Sequence, residues 1–107
     1  MSTLPDLDPV IHAAARLKVM ATLAALPHGD RLSFLRLQSL LDTTAGNLST
    51  HLRKLEDAGY VVVRKSYQGR LPATHVELSA PGMRALEDYV SSLRALLATT
   101  DPSRGGA

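Results

Sequence analysis

A short helix that gives way to a strand within a few residues constrains this chain more than any other feature. Thr44–Tyr60, TAGNLSTHLRKLEDAGY, carries a start signal, a stop signal and two distinct faces. The Thr44 hydroxyl can accept a hydrogen bond from an unpaired amide of the first turn. Gly59 stands where a helix ends, because glycine enters the left-handed conformation without steric cost. Leu48, Leu52 and Leu55 recur at spacings of four and three, which puts them on one face. At about 100° per residue, Gly46, Asn47, Thr50, Arg53 and Lys54 fall on the opposite face, with Ser49 and His51 on the flanks. That outer face is small, hydrogen-bonding and basic. Immediately after Gly59 the pattern switches to period two: Tyr60–Lys65 is rich in β-branched residues and reads as a strand.

A chain of 107 residues with 45% hydrophobic content supports one compact domain with a single core. It has no cysteine, so disulfide, zinc-thiolate and thiol-redox chemistry are excluded. No apolar run approaches the roughly 20 residues of a membrane span. Met1–Leu7 lacks the basic and long apolar regions of a secretory signal. The expectation is a cytoplasmic protein with no membrane partner. Aromatic residues make up 4%, which argues against stacking-based capture of single-stranded nucleic acid. The net charge is +2, but its distribution is uneven. Residues 44–70 hold five basic side chains (Arg53, Lys54, Arg64, Lys65, Arg70) against Glu56 and Asp57. The flanking segments are balanced or slightly acidic, so the basic excess is a local electrostatic footprint in the central third.

Residues 1–7 read as a flexible arm. Asp8-Pro9 combines a cap acceptor with proline at the first helical position, which predicts a helix from there to about Ala25, ahead of Pro27-His28-Gly29. This helix carries Val10, Ile11, Ala14, Leu17, Val19, Met20, Ala21 and Leu23, apolar on most sides. Such a helix needs cover on more than one side, and a second subunit is a candidate cover. Arg31-Leu32 is a candidate very short strand. Ser33 caps a second helix to about Leu41, with Phe34, Leu37, Leu40 and Leu41 inward. Asp42-Thr43 connects tightly to the central helix, 44–58. Ser66–Pro72 reads as a loop, and Ala73–Leu78 as the returning strand, with Thr74, Val76 and Leu78 on one face. Ser79 caps a last helix, 80–99. Residues 101–107 are a Gly-rich tail expected to be disordered.

The order is therefore helix, helix, tight turn, helix, β-hairpin, helix: mainly α with a small hairpin, an α+β winged helix-turn-helix domain over residues 8–100. Ala15-Arg16-Leu17, Gly46-Asn47-Leu48-Ser49-Thr50-His51-Leu52, Leu55-Glu56-Asp57-Ala58-Gly59-Tyr60-Val61 and Leu78-Ser79-Ala80-Pro81-Gly82 resemble winged-helix transcriptional regulators. The MarR and ArsR types are the nearest. The resemblance covers about residues 8–98 and is most specific from Asn47 to Val61. It implies a prokaryotic regulator that binds double-stranded DNA, usually as a homodimer. The central helix would enter the major groove, and the wing, 66–72, would lie on the flanking backbone or minor groove. By position, Gly46, Asn47, Thr50 and His51 would face bases. Thr44, Ser49, Arg53, Lys54, Lys65, Gln68 and Arg70 would meet the sugar-phosphate backbone, Arg70 as the wing-tip cation. Two departures stand out. The cysteine-containing sites of metal-sensing members are absent, and the wing, QGRLPAT, has one basic residue where relatives often carry several.

His12, His28, His51 and His75 lie on four different elements, with no Asp/Glu/His cluster at ligand spacing. Neither a metal nor a cofactor is expected. No nucleophile–base arrangement or Gly-rich phosphate loop occurs, so the chain is not read as an enzyme. His51 is either a neutral hydrogen-bond donor to DNA or a histidine packed at the helix edge. Tyr67 either touches the sugar-phosphate backbone or shields the hairpin. In the last helix Met83, Leu86, Val90, Leu93 and Leu97 form a heptad seam, widened by Tyr89 and Leu96. Together with Val10, Ile11 and Ala14 of the first helix, it is the expected homodimer interface. A small-molecule effector leaves no motif in such dimers. The competing function is a winged helix used as a protein–protein adaptor. That reading calls for an exposed apolar patch on the central helix, where the sequence instead places Asn, Thr, Arg and Lys.

Overall fold

The computed structural model describes residues 4–100. Residues 1–3 of the expected arm and the expected tail, 101–107, lie outside the described residues. The elements run α1 (Ala14–Ala24), β1 (Arg31–Ser33), α2 (Phe34–Leu41), α3 (Ala45–Asp57), β2 (Val61–Gln68), β3 (Leu71–Leu78) and α4 (Ala80–Ala98). The strands form one antiparallel sheet in the order β1-β3-β2. This is the expected winged-helix order, with the short strand at 31–33 pairing on the far side of the hairpin.

The start of α1 differs from expectation. Asp8-Pro9 does cap a turn: the Asp8 Oδ1 accepts from the Val10 N–H at 2.8 Å and the Asp8 carbonyl from the His12 N–H at 2.7 Å. One turn later Ala13 is extended, at φ −147° and ψ 128°, so α1 begins only at Ala14. The break lets Ile11 drop into the core, where it is fully buried. Arg16 holds the separate turn in place by donating from Nε to the Val10 carbonyl. The residue preferences for a helix start are satisfied, but burial of Ile11 decides where the long helix begins.

The expectation that α1 is apolar on most sides also changes. Val19, Met20 and Leu23 are buried in the subunit's own core, and the outward side is mainly Ala14, Ala15 and Ala21. Small outward side chains do not demand a cover as large ones would.

α2 is capped as expected, Ser33 Oγ accepting from the Arg36 N–H at 3.0 Å. Leu37 is its buried residue, with Phe34 and Leu41 half-buried. Leu40, expected inward, is 49% exposed, because it lies about 60° around the helix from Leu37. The turn to α3 uses Asp42 at φ +50°, a left-handed conformation that Asp tolerates. The Thr43 N–H reaches back to the Gln38 carbonyl at 3.4 Å, and Thr44 Oγ1 then caps α3 by accepting from the Asn47 N–H at 3.1 Å. Leu48, Leu52 and Leu55 are buried, as their spacing predicts.

The wing is longer and more regular than expected. Ser66–Pro72 is not a loop. Pairing continues through Ser66↔Ala73 and Tyr67↔Pro72 to Gln68↔Leu71, leaving only Gly69 and Arg70 in the turn. Gly69, at φ +64°, makes that two-residue turn possible. Pro72 is tolerated because β1 ends opposite His75, so no strand needs its missing N–H on that side.

α4 packs along α1 through Leu86 and Tyr89, 8% and 4% exposed. Tyr89 also accepts or donates a 3.0 Å hydrogen bond with His12 Nδ1. Ile11, Leu86 and Tyr89 were expected at a subunit interface. They lie instead in the subunit's own core, because α4 must cover the side of α1 that α2 and α3 leave open. Val10, Val90 and Leu93 are half-buried against that core. Leu96 is half-buried, Ala14 is exposed, and Met83 and Leu97 are 36% and 57% exposed. Among the described residues, no helix is long and apolar enough to cross a membrane.

Candidate nucleic-acid interface

The faces of α3 follow from its three buried leucines. With Leu48, Leu52 and Leu55 inward, the helix presents Gly46, Asn47, Thr50, Arg53 and Lys54 to solvent, all of them exposed. No histidine, carboxylate or large apolar residue interrupts this strip until Glu56. Gly46 is notable for what does not surround it: a Cβ built there would meet no atom within 4 Å. Alanine is the better helix former by up to about 1 kcal/mol. Nothing inside the subunit therefore explains the glycine.

Two of the expected contacts are modified by local hydrogen bonding. Thr50 Oγ1 donates to the Gly46 carbonyl at 3.0 Å. Its hydroxyl proton is therefore committed within the helix, and an oxygen lone pair and the methyl group face outward. Thr44 Oγ1 is committed as the cap acceptor and retains its own O–H to donate.

The structure separates His51 from the other three residues expected to face bases. It is half-buried, its Nδ1 is enclosed without a hydrogen-bond partner, and it lines a small cavity with Ala14, Ala15, Lys18 and Thr43. It sits on the flank turned toward α1, whereas Ser49 sits on the flank turned toward the wing.

Between α3 and the wing lies a cleft of about 550 Å³, lined by Ser49, Thr50, Arg53 and Glu56 from the helix and Val63, Lys65 and Thr74 from the hairpin, over a floor of Phe34 and Leu52. The strand register explains the membership. Directly opposed residues share a face, and faces alternate along each strand. Val61↔Leu78, Val63↔Val76, Lys65↔Thr74 and Tyr67↔Pro72 therefore lie on the α3 side. Val62, Arg64, Ser66 and Gln68 point the other way.

Four residues expected to interact with DNA, Ser49, Thr50, Arg53 and Lys65, are thus brought to one cleft. Lys54 and Asn47 lie on the adjoining outer strip, Arg70 is in the wing turn, and Gln68 is on the hairpin's outer face. Arg64 is on that outer face too, paired with Glu77 at 2.8 Å. It adds to the local charge count but not to the cleft. Thr74 and Glu56 were missed by sequence reasoning. The alternation of the returning strand could have identified Thr74, since it shares a face with buried Val76.

The winged helix DNA-binding domain family matches residues 15–97. An uncharacterized protein of Methanocaldococcus jannaschii is 32% identical over 88 residues, covering 81% of this chain and 91% of that protein. The structure is similar to that of a transcriptional regulator homologue from Pyrococcus horikoshii, with a TM-score of 0.78, 34% identity, and coverage of 86% and 88%. It shares its fold with the Mycobacterium tuberculosis transcriptional regulator MOSR, solved in complex with DNA, with a TM-score of 0.65, 20% identity, and coverage of 86% and 63%. The capped helix, the cleft beside it, the paired wing and these matches converge: the chain belongs to the winged helix DNA-binding domain family.

Proposed function

We propose that this chain is a sequence-specific transcriptional regulator that binds double-stranded DNA as a homodimer. The observation that carries the reading is the continuous surface formed by the outer strip of α3 and the cleft. A small, hydrogen-bonding strip (Gly46, Asn47, Thr50) adjoins a groove that holds Arg53 and Lys65. α3 enters the major groove, where Asn47 and Thr50 meet base edges and Gly46 allows close approach. The phosphodiester backbone runs into the cleft against Ser49, Thr74, Arg53 and Lys65, with Lys54 beside it. Glu56 at the inner end opposes a phosphate and limits how deeply the backbone enters. The wing turn sets Arg70 on the flanking backbone or minor groove. Support also comes from the Pyrococcus horikoshii protein, described as a transcriptional regulator homologue, and from MOSR, which shares the fold and was solved with DNA.

The dimer rests on α4. Met83, Val90 and Leu97 are spaced by seven residues along one flank. Met83 and Leu97 are exposed large apolar residues. The helix has 19 residues, about 28 Å at 1.5 Å per residue. Pairing of two such flanks about a two-fold axis would set two α3 helices on successive turns of one duplex face, about 34 Å apart.

The test is the salt dependence of duplex binding. If each subunit neutralises about three phosphates, the dimer releases about six counterions and the log–log slope is near −5. A slope near zero, or no duplex binding at low salt, contradicts the proposal.

A further inference from the structure

The wing holds an aromatic side chain that the fold does not use. Tyr60 donates its hydroxyl to Asp8 and Tyr89 engages His12, both within the subunit. Tyr67 is 75% exposed, two residues beyond Lys65 on the same strand. Register fixes its direction: Tyr67 and Pro72 continue the row that begins with Val61 and Val63 and passes through Lys65 and Thr74. The ring therefore projects on the side of the hairpin that faces α3, beyond the mouth of the cleft. Arg64, the other large side chain of this stretch, is turned away and held by Glu77.

The position has a consequence if the cleft receives a DNA backbone, and the inference rests on that reading. The sugar-phosphate backbone is the ridge between the two grooves of a duplex. With α3 on the major-groove side and the backbone against Lys65 and Thr74, a residue about 6.7 Å further out along the strand lies past the ridge. It therefore stands at the minor groove. We propose that Tyr67 is a minor-groove contact, its ring edge against the deoxyribose wall and its hydroxyl at the floor, which gives the wing a preference for A·T pairs. A groove about 6 Å wide admits a flat ring edge-on. A·T pairs offer only the adenine N3 and thymine O2 acceptors there, which suit an O–H donor, whereas G·C pairs add the guanine amino group, which obstructs it. The narrower groove of A·T runs also favours the Arg70 cation beside it.

The test uses a duplex carrying the site that the protein itself selects from a random library. The base pairs under the wing, located by hydroxyl-radical protection, are switched among A·T, G·C and inosine·C. Inosine·C keeps the major-groove face of G·C but lacks the minor-groove amino group. For the wild type, A·T and inosine·C should bind alike and G·C about tenfold more weakly, a difference of about 1.4 kcal/mol. Tyr67→Phe should flatten the preference, and Tyr67→Ala should weaken binding to all three duplexes. Both variants should melt with the wild type, since the side chain is exposed. Equal wild-type affinity for the three duplexes, inosine·C behaving as G·C, or a Tyr67→Ala protein that binds as the wild type overturns the proposal while leaving the DNA-binding reading intact. A wild type that binds no duplex overturns both.

Discussion

Gly82 lies against the backbone of Tyr60: a Cβ built on Gly82 would stand 2.0 Å from the Tyr60 carbonyl oxygen and 2.8 Å from its carbon. This contact joins the first turn of α4 to the point where α3 ends and the wing begins. Ser79 completes the junction. Its N–H donates to the Tyr60 carbonyl at 3.0 Å, and its hydroxyl donates to the Gly59 carbonyl at 2.6 Å while accepting from the Gly82 N–H at 2.9 Å. The angle between recognition helix and wing is thus fixed from behind by α4. Gly82→Ala should lower stability by about 1–3 kcal/mol, since backbone cannot yield cheaply to an added methyl. The sign is informative, because alanine for glycine within a helix is otherwise favourable by about 1 kcal/mol. Chemical denaturation measures it, and an unchanged or raised midpoint would show that the helix does not sit this close.

The opposite result is expected at Gly46, where an added Cβ meets nothing in the subunit. Gly46→Ala should leave stability equal or raise it by up to about 1 kcal/mol. It should nonetheless weaken binding to the preferred duplex, because the methyl group holds the helix away from the base edges. Melting and binding measured on the same preparation check this. Unimpaired binding would remove Gly46 from the interface.

Much of this architecture was legible in the sequence. The Ser33, Thr44 and Ser79 caps, the buried row Leu48, Leu52, Leu55 and the stop at Gly59 all follow from local rules. What escaped depended on contacts distant in sequence. The start of α1 is displaced from Pro9 to Ala14 because Ile11 is drawn into a core that other helices build. The wing tip pairs through Pro72 because β1 ends opposite His75. Arg64 leaves the interface because Glu77, thirteen residues on, shares its side of the sheet. In α4 the heptad spacing marked an apolar seam but could not divide it. Leu86 goes to the subunit's own core and Leu97 to the surface because the body of the subunit ends before Leu97.

The Tyr60 phenol is pushed up to about 12 by its hydrogen bond to the Asp8 carboxylate, by burial and by the negative charge of Asp8, in that order. A folded-state value raised above the unfolded value of about 10 means that this contact contributes fully below pH 10 and is lost as pH rises toward 12. Ultraviolet titration of the phenolates should show one group ionising late. Asp8→Asn should bring that group down toward 10 and reduce the alkaline loss of stability. A late group that persists in Asp8→Asn would assign the shift to another tyrosine.

Leu97 is 57% exposed on α4, so replacing it should disturb assembly without disturbing the core. Leu97→Glu should shift the protein from dimer to monomer in sedimentation at micromolar concentration, with a monomer that stays folded by circular dichroism. Leu93 is a poorer choice because it packs on the subunit's own core. A wild type that sediments as a monomer, or a variant that remains dimeric, would locate the interface elsewhere or remove it.

The central claim is that α3 reads base sequence with one part of its outer strip and grips phosphates with another. The most direct measurement compares Asn47→Ala and Lys54→Ala on a selected duplex and on a scrambled one at fixed salt. Asn47→Ala should cost about 1–3 kcal/mol on the selected duplex and little on the scrambled one. Lys54→Ala should weaken both alike and reduce the magnitude of the salt slope by about 1. Equal losses on both duplexes for both variants would contradict the account, because α3 would then be a basic surface and not a reader of sequence.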